Sequence, residues 1–177
     1  MIDRETYDRK GLFRRFSEDC KCSTSMTARI DATELAAYSG KTGTKFYINF
    51  LYILSKVLNS RDDYKMGYLW QTDELICYDR INPTQYVFHE DTETCTPVYT
   101  EYDEDYGKFY DALHIELPDG HLFFAPIVNW GKYRNENGRL VMPVSVRLNH
   151  AIAGGYLAAN VFRLLEKEIK AFAGTGL

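Results

Sequence analysis

Apolar residues recur at helical spacing in two long segments of the chain. Within residues 45–60 they stand three and four positions apart, and the same spacing returns in residues 155–171. Such spacing puts the side chains on one face of an α-helix, so both segments are predicted to be amphipathic helices packed on a core. The predicted buried faces consist of Phe46, Phe50, Ile53, Leu54, Val57 and Leu58 in the first helix, and of Leu157, Val161, Leu164, Leu165 and Ile169 in the second.

Shorter segments predict strands and a further helix between these two. Residues 97–101 are predicted to be extended, and residues 103–112 helical, because the acidic residues at their start suit a helix N-terminus. Two hairpins are predicted from turn-forming residues, one with strands 113–117 and 122–125, the other joining a strand that ends at Trp130 to one that begins at Leu140. This order of elements predicts an α/β (α+β) fold, in which helices pack on a large mixed β-sheet.

Composition and charge narrow the classes of function. The chain has 177 residues, of which 45% are hydrophobic, so it can bury a sizeable core. No stretch rich in Pro, Gly or Ser divides it, and we expect a single domain over residues 1–177. The net charge is −4 and the basic residues form no run, which argues against a nucleic-acid partner. No segment has the apolar core of a signal peptide or of a membrane span, so we expect a cytoplasmic protein without a membrane partner.

Cysteine and histidine spacing predicts no metal site. Cys20 and Cys22 lie too close together for ordinary metal-site spacing, and the other two cysteines, Cys77 and Cys95, are isolated. We interpret all four as free thiols of a reducing compartment, with a shared metal site as the alternative. The histidine pair His114 and His121 flanks the first predicted turn, but two histidines without cysteine or carboxylate partners are more often exposed polar residues.

The best candidate for chemistry is a histidine near the C-terminus. An apolar strand pattern beginning at Pro143 delivers His150 to a turn containing Gly154 and Gly155, and the last predicted helix follows. The unperturbed pKa of histidine suits proton abstraction near neutral pH, so a histidine on such a turn is a natural general base. The alternative is a buried histidine at a strand end whose ring is satisfied by the backbone.

This segment resembles the signature H-x-x-x-D-G of the chloramphenicol acetyltransferase family. His150 stands at the position of the catalytic histidine, Gly154 where the family has aspartate, and Gly155 at the family's glycine. The base of the motif is therefore kept and its acid is absent.

Other segments follow the family in the same order. Tyr7, Arg9, Lys10 and Phe13 resemble the N-terminal pattern aromatic-x-R-K-x-x-F. Residues 25–35 are similar to the family's first long strand, residues 45–60 to its K-F-Y helix, and residues 126–133 to the block before the histidine. The resemblance covers about four-fifths of the chain and implies a chloramphenicol-acetyltransferase-like fold, although fold alone does not establish function. It also implies a homotrimer with small-molecule pockets between the subunits.

The resemblance implies a definite chemistry, from which this chain departs twice. In the family, the histidine takes a proton from a substrate hydroxyl, which then attacks the acetyl thioester of acetyl-CoA. A serine stabilises the oxyanion that results. The motif aspartate pairs with an arginine at the position of Arg9. Gly154 offers Arg9 no carboxylate. Between Tyr110 and Pro126 the chain is about three dozen residues shorter than expected, and the W-x-S-F-x-G-F segment with the oxyanion serine has no counterpart.

We therefore predict a catalytically degenerate trimer of this family that binds or sequesters a small ligand, such as a nucleotide-like one. The alternative is an active acetyl-CoA-dependent O-acetyltransferase with His150 as general base. Acetyl-CoA is expected as a cofactor only in that case.

Several candidates for contact with the ligand are aromatic. Aromatic residues at helical spacing usually belong to the core, so these residues also suit a packing role. The candidate ligand-binding residues are Arg9, Phe46, Tyr47, Tyr68, Asn149 and Trp130.

Overall fold

The computed structural model describes residues 2–69, 71–89, 91, 94–112 and 125–175. These residues form five α-helices and eight β-strands. In chain order the elements are α1 (Lys10–Arg14, continued by a π-helical turn, Arg15–Asp19), β1 (Ser23–Asp31), α2 (Thr33–Thr42), α3 (Phe46–Asn59), a 3₁₀ turn (Asp62–Tyr64), β2 (Met66–Leu69), β3 (Glu74–Cys77), β4 (Thr84–His89), β5 (Thr94–Tyr99), α4 (Tyr106–Asp111), β6 (Ile127–Trp130), β7 (Arg134–Glu136), β8 (Arg139–Asn149) and α5 (Gly155–Ala173).

Strand β8 is the centre of the largest sheet. It pairs with β1 on one side, from Ser23 opposite Asn149 to Asp31 opposite Val141, and with β6 and β7 on the other. Side chains alternate between the two faces of a strand, so every second residue of β8 points into the core. Helix α5 packs against the same sheet, and of the five residues on that face Leu140 is partly buried while the other four are buried. They are Met142, Val144, Val146 and Leu148.

The two predicted long helices are confirmed, although they differ in their surroundings. Helix α3 is buried on nearly all sides, as expected for a helix with few polar residues. Helix α5 is amphipathic, with Leu157, Val161, Leu165 and Ile169 buried, while Leu164 is only partly buried. Both helices contribute to one apolar cluster under the sheet.

Two shorter predictions need adjustment at their boundaries. Helix α4 begins at Tyr106 rather than at residue 103, because the carboxylate of Asp105 caps it by accepting a hydrogen bond from the Lys108 N–H at 3.1 Å. The second hairpin turns at Asn137 and Gly138, which both have positive φ, at 54° and 83°. Two consecutive positive φ values match the tight hairpin turns that favour Asn-Gly, and the residues before this turn form strand β7.

The predicted fold class, with helices packed on β-structure, is confirmed, but the prediction of one large mixed sheet is wrong for the described residues. Their strands form one four-stranded and two two-stranded sheets, and every pair is antiparallel. An alternation of strands and helices does not report strand direction, which the turns and long connections decide. The first predicted hairpin, residues 113–125, lies almost entirely outside the described residues. Within those residues, no helix is long and apolar enough to cross a membrane.

Candidate functional site

The turn that carries His150 continues the pairing of β8 with β1 by one residue. The His150 backbone N–H donates to the Cys22 carbonyl at 3.1 Å. Asn149 then turns the chain back on itself through both of its oxygen atoms. Its backbone carbonyl accepts hydrogen bonds from the N–H groups of Ile152 and Ala153 at 3.2 and 3.0 Å. Its side-chain oxygen accepts one from the Ala151 N–H at 2.9 Å. Asn149 thus shapes the turn, and its contact with a ligand stays a prediction.

The imidazole of His150 is positioned by packing. Its ring stacks on Phe16, with the ring centroids 4.2 Å apart and the planes inclined by 26°. Phe16 belongs to the π-helical turn that follows α1, so the N-terminal segment reaches over the end of β8. The buried Nδ1 atom has no hydrogen-bond partner among the described residues. Packing on Phe16, rather than a hydrogen bond at Nδ1, therefore sets the orientation of the ring.

Arg9 lies against the same turn, as the resemblance implies. Its Nη1 atom donates to the Ile152 carbonyl at 2.7 Å and lies 3.9 Å from Oδ1 of Asp63. A Cβ atom placed on Gly154 would lie 3.6 Å from Arg9 Nη2 and 3.6 Å from His150 Cε1. Arg9 therefore keeps its place beside the motif, but its acidic partner comes from the 3₁₀ turn. Its contact with a ligand stays a prediction.

A separate pocket lies beside Phe46 and Trp130. Its volume is about 500 Å³, and Gly131, Lys132 and Tyr133 complete its lining. The Phe46 and Tyr133 rings meet edge to face with centroids 5.1 Å apart, and the Trp130 ring meets Phe50 at the same separation. Small-molecule sites typically measure about 300–1,000 Å³ and combine aromatic walls with a few polar groups. This pocket matches them in volume and wall chemistry, but it is open to solvent, since Gly131, Lys132 and Tyr133 are exposed. It is called the aromatic pocket below.

The aromatic pocket and His150 are well separated within one chain. Trp130 pairs with Val144 on β8. His150 comes six residues after Val144, just past the end of the same strand. At about 3.3 Å per strand residue, the backbones of Trp130 and His150 are roughly 20 Å apart. The predicted site residues thus fall into two groups, with His150, Asn149 and Arg9 at the turn and with Phe46 and Trp130 at the pocket.

Tyr68 and Tyr47 belong to neither group. Tyr68 packs edge-on against Phe13, with centroids 5.4 Å apart, and its hydroxyl donates to the Asp73 carboxylate. Burial and this hydrogen bond raise the pKa of Tyr68, while the same hydrogen bond, followed by the charge of Arg4, lowers the pKa of Asp73. Tyr47 is 38% exposed on α3. Whether either residue contacts a ligand stays a prediction.

Sequence reasoning missed three residues that the structure makes prominent. Phe16 stacks on His150 and Asp63 faces Arg9, yet no periodicity links either residue to the turn. Asn49 is fully buried in α3 and bonds three other side chains. Only Asn49 had a visible signal, since it is a polar residue within an otherwise apolar helix.

The described residues contain no group of three or more His, Cys, Asp or Glu side chains able to hold a metal ion. His114 and His121 lie outside the described residues, as does the side chain of Cys95. Cys20, Cys22 and Cys77 are free thiols.

The fold of this chain is also found in acyltransferases of known structure. A solved chloramphenicol acetyltransferase superposes with a TM-score of 0.81 at 19% identity, covering 95% of this chain and 98% of that one. A dihydrolipoamide acetyltransferase from Azotobacter vinelandii superposes with a TM-score of 0.64 at 14% identity, covering 91% and 86%. At these identities, the likeness establishes the acyltransferase fold alone.

Sequence comparison narrows this class to one family. The family model described as "Chloramphenicol acetyltransferase" matches residues 1–120 and 110–166. "Chloramphenicol acetyltransferase 2" from Escherichia coli is 29% identical over 202 residues, covering 93% of this chain and 94% of the relative. A chloramphenicol acetyltransferase from Proteus mirabilis is 26% identical over 212 residues, covering 99% and 95%. The chain belongs to the chloramphenicol acetyltransferase family.

The comparisons also agree with the internal shortening. Because 93% of 177 residues is about 165, about 37 of the 202 positions aligned with the Escherichia coli relative have no residue of this chain. The family model matches in two pieces that overlap at residues 110–120. The match therefore passes from one piece to the other in the part of the chain where the W-x-S-F-x-G-F segment has no counterpart.

Proposed function

We propose that this protein is a homotrimeric, catalytically degenerate member of its family that binds a small ligand. The observation that carries the proposal is the internal shortening, seen as about 37 positions aligned with the Escherichia coli relative that have no residue of this chain and as a family match divided into two pieces around residues 110–120. The resemblance assigns the oxyanion serine to the segment missing there. Loss of one preorganised oxyanion donor typically lowers the rate by about 10²–10³-fold, so acetyl transfer at the rate of an intact family member is not expected.

The aromatic pocket supports ligand binding. Its walls are the rings of Phe46, Trp130 and Tyr133, and Lys132 adds a positive charge. Flat aromatic faces beside an ammonium group suit a ligand that joins a planar ring to an anionic group. A nucleotide-like ligand has this chemistry, and so does acetyl-CoA, which when bound would supply an acetyl thioester.

A trimer would explain why the two groups of site residues lie apart in one chain. His150 and the aromatic pocket are separated by roughly 20 Å along the sheet, too far to act on one small acceptor group. If each pocket forms between neighbouring subunits, His150 of one subunit faces the pocket of the next. This arrangement is the one implied by the family resemblance.

The alternative function is an active acetyl-CoA-dependent O-acetyltransferase. The contacts of Arg9 favour it, because Arg9 still bonds the Ile152 carbonyl although Gly154 carries no acid. His150 would accept the proton of the acceptor hydroxyl. A backbone N–H or another hydroxyl would have to replace the oxyanion serine.

A thiol-release assay separates the two functions. Acetyl-CoA is offered with a panel of hydroxyl acceptors that includes chloramphenicol, and wild type is compared with His150→Ala. We expect no thiol release that depends on His150. Robust release that disappears in His150→Ala would establish the enzyme and contradict the degenerate protein.

Thermal unfolding with CoA as the probe tests binding independently of turnover. A ligand that binds only the folded state stabilises that state, by about 2.7 kcal/mol when the ligand concentration is 100 times Kd. The melting temperature of the protein rises as a result. We expect a CoA-dependent rise that is reduced in Lys132→Ala and kept in Lys167→Ala, which removes an exposed lysine from α5. A melting temperature that CoA leaves unchanged in wild type would contradict the nucleotide-like ligand.

A further inference from the structure

We infer that Asp63 replaces the motif carboxylate missing at Gly154 and, acting through Arg9, positions the turn that carries His150. The functional importance of this turn rests on the proposed function, whereas the contacts of Asp63 do not. Asp63 is a positioning residue, since it touches Arg9 and not the imidazole.

Arg9 connects the acid to the turn. Its Nη1 atom donates to the Ile152 carbonyl at 2.7 Å, and the same atom lies 3.9 Å from Asp63 Oδ1. Both side chains are 25% exposed, so solvent screens this pair less than it would a fully exposed one. The Asp63 charge thus holds the guanidinium where it can bond the turn.

Asp63 is itself anchored to helix α5, which begins at Gly155. It lies on the 3₁₀ turn beside Tyr64, which is buried and donates from its hydroxyl to the Leu157 carbonyl of α5 at 2.8 Å. The other carboxylate oxygen, Oδ2, accepts from Arg61 at 2.7 Å. These contacts fix the acid relative to the N-terminus of α5.

The structure has room for an acid at the motif position too. Gly154 has φ −86° and ψ −176°, a conformation open to any residue. A Cβ there would make ordinary van der Waals contact with Arg9 Nη2 at 3.6 Å. Gly154 is also the N-cap of α5, a position where aspartate is favoured. An aspartate at residue 154 can therefore supply the charge that Asp63 supplies now.

Exchange of Asp63 for asparagine tests the inference without requiring catalysis. The amides of Ala151, Ile152 and Ala153 bond Asn149, and their hydrogen-exchange rates report opening of the turn. We expect Asp63→Asn to raise these rates about two- to fivefold, the range of a partly exposed ion pair. Asp63→Glu, which keeps the charge, should leave them near wild type, and Gly154→Asp should restore them in Asp63→Asn.

Asp62→Asn is the matched control. Asp62 lies on the same 3₁₀ turn, is 82% exposed and pairs with Lys65 at 3.1 Å, so its exchange removes an adjacent charge without touching Arg9. The inference is overturned if Asp63→Asn leaves the turn unchanged, if Asp62→Asn opens it equally, or if Gly154→Asp fails to restore it. If Asp63→Asn does not fold, a folded double variant supports the inference and an unfolded one overturns it.

The thiol-release assay keeps the two proposals apart. If wild type proves to be an active enzyme, the degenerate function fails, whereas Asp63 is still judged by hydrogen exchange and by rescue. If Asp63→Asn leaves exchange unchanged, the inference fails whatever the activity.

Discussion

At the residue scale, Asn49 is the clearest case of a polar group that the core requires. It is fully buried in α3. Its side-chain amide donates to Ser39 Oγ at 2.9 Å and to Thr44 Oγ1 at 2.8 Å, and its oxygen accepts from the Tyr106 hydroxyl at 2.5 Å. Because both N–H groups and the oxygen are paired, the residue ties α2 and α4 to α3 without leaving an unsatisfied polar group.

Asn49→Leu should destabilise the protein although leucine has a similar volume. The exchange leaves the partly buried Tyr106 hydroxyl without its acceptor and removes a donor from Ser39 and from Thr44, so we expect the free energy of unfolding to fall by about 2–3 kcal/mol. Denaturant unfolding followed by circular dichroism measures it. Asn129→Leu, at an exposed position of β6, is the control and should change stability by less than about 0.5 kcal/mol. Equal stability of Asn49→Leu and wild type would contradict the prediction.

At the element scale, an aromatic cluster joins α3, α4 and the end of α5. Tyr52 lies at its centre, with ring centroids 5.3 Å from Tyr106, 5.4 Å from Phe109 and 5.7 Å from Phe172. Burial disfavours the charged phenolate and raises the pKa of Tyr106 to about 12, and burial also raises the pKa of Tyr102 and Tyr52. The cluster therefore makes the packing of these helices sensitive to alkaline pH.

The pKa of Tyr106 predicts the direction of that sensitivity. An unfolded tyrosine has a pKa of about 10, so above this pH the unfolded state loses its proton first. The folded state then binds more protons than the unfolded one, and stability falls as the pH rises. We expect the contribution of Tyr106 to stability to be constant below about pH 10 and to decline from there towards pH 12.

Denaturant unfolding across this range measures the decline, and Tyr106→Phe is the informative variant. It has no phenol at this position to titrate, so its decline should be shallower than that of wild type. An equally steep decline would assign the pH dependence to other tyrosines.

At the scale of the whole molecule, exposed side chains bear on assembly. Large apolar side chains remain exposed on the chain, among them Tyr156 at 82%, Tyr86 at 68% and Ile127 at 43%. Where such side chains form one contiguous patch, the surface is typical of proteins that associate. We expect a homotrimer with a mass of about 61 kDa, three times the 20.5 kDa of the chain. Light scattering at micromolar concentration measures the mass, and a monomer would contradict both the trimer and a pocket between subunits.

The long elements could be predicted from the sequence because each repeats its pattern many times. Helices α3 and α5 and strand β8 each contain 11 or more residues, so a few exceptions do not hide the period. The start of α4 was misplaced because three consecutive acids, residues 103–105, all suit a helix N-terminus. Only Asp105 makes the capping hydrogen bond.

The sequence by itself determined the family, the long elements and the position of His150 on a turn between strand and helix. It also indicated the missing motif acid and the internal shortening, since both are visible along the chain. Only the tertiary structure decided that Phe16 stacks on His150 and that Asp63 stands beside Arg9. The reason is physical: periodicity reports which face of an element is buried, whereas a single ring contact or ion pair depends on how distant elements pack and carries no repeating signal.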